Sequence, residues 1–186
     1  MSGIEKVAFV GLGNMGDPIA ANLVRAGYAV TGVDAVPGRA EQWAAARGAA
    51  YAGSAADAAR DADVVVTILP TSEHVAAVVD EIAPVLRPGN VVVDMTSGVP
   101  ETTRRIAAGL AERDVAMVDV AVSGGVSRAV DASIALMAGG DDAVLDRVQP
   151  LLDAVGRATF RTGGVGTGQA MKSLNNLVSA GGLLVA

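Results

Sequence analysis

The 186 residues are enough for one sizeable core, and with 51% hydrophobic but only 3% aromatic residues the interior must be built mainly from Ala, Val and Leu. A formal net charge of −6 argues against a nucleic-acid or anionic-membrane partner, both of which need a basic face. The lack of Cys excludes disulfides, thiolate metal sites and a cysteine nucleophile, and no metal centre is expected.

The chain enters a strand pattern by Lys6 with no charged-then-apolar leader, and no apolar run reaches the roughly 18–20 residues of a membrane helix. A soluble, cytoplasmic protein is therefore expected. Taken in chain order, Lys6–Val10, Tyr28–Asp34, Val64–Leu69, Val91–Met95, Ala116–Val120 and Ile134–Ala138 read as strands. Several are apolar almost throughout, as in a sheet covered on both faces. Met15–Ala26, Pro37–Arg47, Ser72–Ala83, Pro100–Glu112 and Asp141–Leu152 read as the intervening helices, with Pro37 and Pro100 near helix starts. This alternation predicts an α/β fold with a doubly wound, Rossmann-type, mostly parallel sheet.

The first strand runs into Gly11-Leu12-Gly13-Asn14-Met15-Gly16 and then into a helix. Gly11 allows the tight turn, Gly13 the close approach of a pyrophosphate, and Gly16 close packing of helix on strand. The anion then sits on free N–H groups at the helix N-terminus. Asp34 follows Gly16 by 18 positions at the end of the next strand. A carboxylate there accepts hydrogen bonds from the adenosine ribose hydroxyls and repels a 2′-phosphate. NAD is the expected cofactor and NADP the less favoured one, with Arg39 nearby keeping NADP open. His74, the only histidine, is read as a solvated residue in the first turn of a helix, with a place near the cofactor as the lesser alternative.

Residues 1–163 are read as the dinucleotide-binding domain. From Arg161 to Gly168 the chain is glycine-rich and reads as a connector, so residues 164–186 are assigned to that connector and the start of a long helix. From Gln169 to Ala186 that helix has no charge beyond Lys172, and an apolar helix must be covered by something. Leu174, Leu177, Val178, Leu183, Leu184 and Val185 make the surface in question, and a homo-oligomer through this helix is expected. Lys172 and Asn176 are four apart and share one helical face. A lysine in apolar surroundings loses pKa and becomes a usable general acid/base, with Asn176 placed to bond a substrate hydroxyl or steady the lysine.

Four stretches resemble the β-hydroxyacid dehydrogenase family, the group that includes 3-hydroxyisobutyrate dehydrogenase and tartronate semialdehyde reductase. They are Gly11 to Leu23, Leu69-Pro70-Thr71-Ser72, Asp119 to Gly125, and Gly166 to Asn176. The resemblance implies that Leu69 and Pro70 lie along the cofactor and that Thr96, in Asp94-Met95-Thr96-Ser97, lies near the nicotinamide. It implies that Ser123, Gly124 and Gly125 hold the carboxylate of a small substrate, and that Lys172 and Asn176 are catalytic. It also implies an α-helical domain beyond the lysine helix, before which the chain is expected to stop. The sequence departs from the family in Ala121, where Pro is common, and in Val126 to Ala132, which brings in Arg128.

The expected reaction is hydride transfer between NAD and a small β-hydroxyacid, giving the semialdehyde or keto acid. Two alternatives stay open: an NAD-binding fragment or sensor without turnover, and an imine-reductase-like enzyme, against which Lys172 counts.

Overall fold

The computed structural model describes residues 3–185, with side-chain surroundings to residue 180. Eight strands form one sheet in the order β3-β2-β1-β4-β5-β6-β7-β8. They are β1 (Lys6–Val10), β2 (Ala29–Val33), β3 (Ala50–Tyr51), β4 (Val64–Thr67), β5 (Val91–Asp94), β6 (Ala116–Ser123), β7 (Ile134–Gly139) and β8 (Gly156–Gly163). All neighbours pair in parallel except β6 and β7. The helices are α1 (Gly16–Arg25), α2 (Arg39–Arg47), α3 (Ala55–Ala59), α4 (Ser72–Ile82), α5 (Pro100–Ala111), α6 (Gly125–Val130), α7 (Asp142–Asp153) and α8 (Thr167–Val185). This is the expected doubly wound fold.

The strand alternation explains both layers. Val7 and Phe9, Val64 and Val66, and Val91 and Val93 face a core completed by α1, α2, α6 and α7. Ala8 and Val10, Val65 and Val92 face the other core, with α3, α4 and α5. Side chains alternate across a strand, so apolar strands supply both layers at once. Gly32 is needed because the Trp43 ring lies on β2 there, 2.8 Å from where a Cβ would stand.

Six expected strands and six expected helices, α8 among them, are present, with ends shifted by up to three residues among the described residues. β3, α3, α6 and β8 were not read from the sequence. The glycine-rich connector is shorter than expected, since Arg161 and Gly163 still pair with Ala138 and Gly139 of β7, across a register shift at Thr162. The first turn of α8 is also part of the sheet body and not a free linker. Gly168 lies so close to β7 that a Cβ would sit 2.3 Å from the Met137 carbonyl oxygen.

Candidate functional site: a dinucleotide cleft beside a lysine helix

In an open parallel sheet, ligands bind outside the carboxyl ends of the strands where the winding reverses. Here that point lies between β1 and β4, and a cleft of about 540 Å³ opens there. Gly11, Gly13, Asn14, Met15 and Gly16 form one wall, and Ile68, Leu69 and Pro70 form the opposite one. Asp34, Arg39, His74, Met95, Ser97 and Val122 are also in the lining, with Ala35 and Val36. His74 is exposed, as expected, and also borders this cleft, with its Nδ1 2.9 Å from the Thr71 hydroxyl.

The glycines divide their work as their chemistry requires. A Cβ on Gly11, where φ is +102°, would meet the Ile68 carbonyl oxygen at 2.2 Å. One on Gly16 would meet the Gly11 carbonyl oxygen at 1.8 Å, so α1 approaches β1 only with glycine there. Gly13 has nothing within 4 Å of its Cβ direction. That open space beside the start of α1 suits a pyrophosphate, and the acidic ribose-side residue is in place, so the site fits the dinucleotide.

Asp34 is nearly buried and heavily used. One carboxylate oxygen accepts from the Leu12 N–H at 2.8 Å, and the other from the Val36 N–H at 2.8 Å. Arg39 donates to both at 3.2 and 3.3 Å. Asp34 thereby ties the glycine loop to the β2–α2 loop. Leu12 serves through this N–H, with its side chain in the core and outside the cleft lining. Thr96 adjoins the cleft between two of its lining residues. It is fully buried, absent from the cleft lining, and its hydroxyl accepts from the Leu69 N–H at 3.0 Å. It therefore holds the cleft wall, while of the two lining residues beside it Ser97 is exposed and Met95 fully buried.

The lysine end lies beyond β5 and β6. Ser123 ends β6, and Gly124 and Gly125, with φ of 140° and 73°, turn the chain into α6. Arg128 folds back over Gly124, whose Cβ would lie 2.8 Å from the Arg128 Cδ. Arg128 forms no ion pair among the described residues, so the departure from the family places an unpaired cation beside this loop. Asn175 Nδ2 on α8 donates to Ser123 Oγ at 3.4 Å. Asn176, the amide singled out from the sequence, is exposed one turn beyond Lys172. It is the neighbouring amide that meets Ser123, and the i, i+3 position could have signalled it. Lys172 is half-buried, and burial holds its ammonium below the usual lysine range.

Two buried carboxylates flank α8. Asp119 accepts from the N–H groups of Gly166 at 2.6 Å and Gln169 at 2.9 Å, which caps the start of the helix. Burial still holds its carboxyl above the usual range. Asp94 is 1% exposed and accepts from Thr67, the Thr96 N–H and Gln169. Burial, opposed by those hydrogen bonds and aided by the nearby Asp119 charge, raises it from 3.8 to about 6. Between those values the folded chain keeps a proton that the unfolded chain has lost, so stability falls as pH rises through this window. At about 1.4 kcal/mol per pKa unit, the fall is on the order of 3 kcal/mol. Urea unfolding from pH 4 to 7.5 is expected to show this fall in the wild type relative to Asp94→Asn. Parallel pH profiles for the two proteins would contradict it.

Fold and site together define a dinucleotide-binding domain of the Rossmann type. The chain belongs to the family of the NAD binding domain of 6-phosphogluconate dehydrogenase, whose model matches residues 6–164. It is 39% identical over 180 residues to an NAD-dependent L-serine dehydrogenase of Pseudomonas aeruginosa, covering 95% of this chain and 60% of that protein. Its fold matches the 3-hydroxyisobutyrate dehydrogenase of Mycobacterium tuberculosis, solved with L-serine, at a TM-score of 0.91 and 40% identity, over 95% of this chain and 60% of that one. An imine reductase from Myxococcus stipitatus in complex with NADP+ matches at 0.89 and 25% identity, over 96% and 62%. The chain thus spans about three-fifths of the relatives it matches. Among the described residues no helix is long and apolar enough to cross a membrane.

Proposed function

We propose that this chain supplies the cofactor site and the acid/base lysine of an NAD-dependent β-hydroxyacid dehydrogenase acting on a small 3-hydroxy acid. The observation that carries this reading is the placing of α8. It brings Asn175 to Ser123 at the end of β6 and sets Lys172 one turn earlier, between that contact and the buried Gln169. Bound NAD would supply the hydride acceptor. Ser123 and the N–H groups of Gly124 and Gly125 hold the substrate carboxylate, so that the carbinol carbon faces the cofactor in a near-attack geometry. Lys172 accepts the hydroxyl proton as the carbinol hydride leaves, and Asn176 steadies the hydroxyl or the lysine. The product carries a carbonyl where the carbinol stood. Names of relatives that act on 3-hydroxyisobutyrate and L-serine favour this substrate class. Incubation of the complete gene product with NAD and a hydroxyacid deuterated at the carbinol carbon tests it, and an unlabelled cofactor would contradict it.

The imine-reductase reading has a structural neighbour behind it, but Lys172 counts against it and favours a hydroxyacid. A cytoplasmic location suits an NAD-dependent chain without cysteine. Self-association through α8 belongs to the same reading. Met171, Leu174, Leu177 and Val178 are 44%, 58%, 70% and 74% exposed along this helix. Apolar surface of this kind marks an interface. The side chains of Leu183, Leu184 and Val185, which the sequence grouped with them, lie outside the described residues. Sedimentation of the chain is expected to show dimers or larger species, reduced by Leu177→Glu. A monomer at all concentrations would contradict it.

A further inference from the structure

We infer that Gln169 is a positioning residue: a buried amide key that sets the register of the lysine helix against the loops forming the cofactor cleft. The inference rests on the proposed role of Lys172 and adds how that lysine is held.

Gln169 is 1% exposed, three residues before Lys172 on α8. Every polar atom of its side chain is engaged across an element boundary. Its Oε1 accepts from the Thr103 hydroxyl on α5 at 2.8 Å. Its Nε2 donates to Asp94 Oδ2 at the end of β5 at 3.1 Å and lies 3.5 Å from the Thr96 carbonyl oxygen. Its backbone N–H donates to Asp119 on β6. One residue therefore fixes the first turn of α8 to three elements far away in sequence.

The key reaches the cofactor cleft through Thr96. The Thr96 hydroxyl holds the Leu69 N–H, and Leu69 forms a wall of the cleft. Gly98 sits against the same amide, and a Cβ there would lie 3.0 Å from Gln169 Oε1. A buried amide with both ends matched tolerates one geometry, because shifting the helix would strand a donor or acceptor away from water. Lys172 follows one turn later on the same face. An apolar residue at 169 would fill the space but leave the helix free to slide.

The chain offers a direct reporter. Lys6 and Lys172 are its only lysines, and Lys6 lies at the opposite end of the sheet from the cleft, at the start of β1. Lysine labelled with 13C at Cε gives two side-chain signals. In Gln169→Leu the Lys172 signal is expected to titrate about half a pH unit or more higher than in the wild type, as a loosened helix rehydrates it. The Lys6 signal should stay in place, and NAD affinity should change by less than about threefold. Thr103→Val removes one hydroxyl at nearly constant volume and should move the Lys172 signal in the same direction by less, so it decides the matter if Gln169→Leu does not fold. A Lys172 signal unchanged in both variants would overturn the inference. The acid/base reading stands or falls separately, on turnover of Lys172→Ala.

Discussion

Replacing Lys172 by Ala is expected to lower the kcat of the complete gene product by about a hundredfold or more, the usual contribution of a positioned general acid/base. Lys172 is half-buried on α8, and burial alone holds its ammonium below the usual lysine range. The neutral amine is therefore present at lower pH than on a solvated lysine. NAD affinity should hardly move, since Lys172 is absent from the cleft lining. Lys172→Arg should fail to restore turnover, because guanidinium stays protonated. Steady-state kinetics on the three proteins checks this. Near-normal kcat in Lys172→Ala would make it an ordinary interface lysine whose stem covers apolar surface.

The second large effect is cofactor choice. NAD should bind at least tenfold more tightly than NADP, about 1.4 kcal/mol. The source is Asp34, whose carboxylate lines the cleft where the ribose is expected. The structure adds a refinement. Arg39 already donates to both oxygens of Asp34 and is itself 43% exposed, so the pair presents less negative charge than Asp34 alone. Arg39→Ala should therefore widen the preference for NAD, chiefly by weakening NADP. Calorimetry with both cofactors on the wild type and Arg39→Ala decides it, and equal affinities in the wild type would contradict the role given to Asp34.

How much of this was legible in the sequence follows from what each signal depends on. Gly11 to Gly16 could be read because each glycine answers a local constraint, and the structure shows a Cβ colliding at Gly11 and Gly16. The apolar runs Val64–Thr67 and Val91–Asp94 could be read because buried parallel strands carry no polar face. The two-residue β3 and the helices α3 and α6, five and six residues long, are too short to show a period. β8 was hidden because Arg157, Arg161 and its glycines read as loop, whereas it pairs along β7 at the edge of the sheet. The bond from the Leu69 N–H to the Thr96 hydroxyl could not be read, because which way a side chain points at a strand end depends on its tertiary partner. Gln169 had no local signal. Its partners are 50 to 75 residues away, and a buried amide cannot be told from a surface one by composition.

The most direct test of hydride transfer by this protein is the fate of the carbinol hydrogen. The complete gene product is incubated with NAD and a β-hydroxyacid, 3-hydroxyisobutyrate or L-serine, deuterated at the carbinol carbon, and the cofactor is analysed by mass spectrometry. Reduced cofactor carrying one deuterium is expected, formed together with the carbonyl product and nearly lost in Lys172→Ala. Tight NAD binding with no deuterium transferred from any small β-hydroxyacid would contradict it, leaving a cofactor-binding domain without this chemistry.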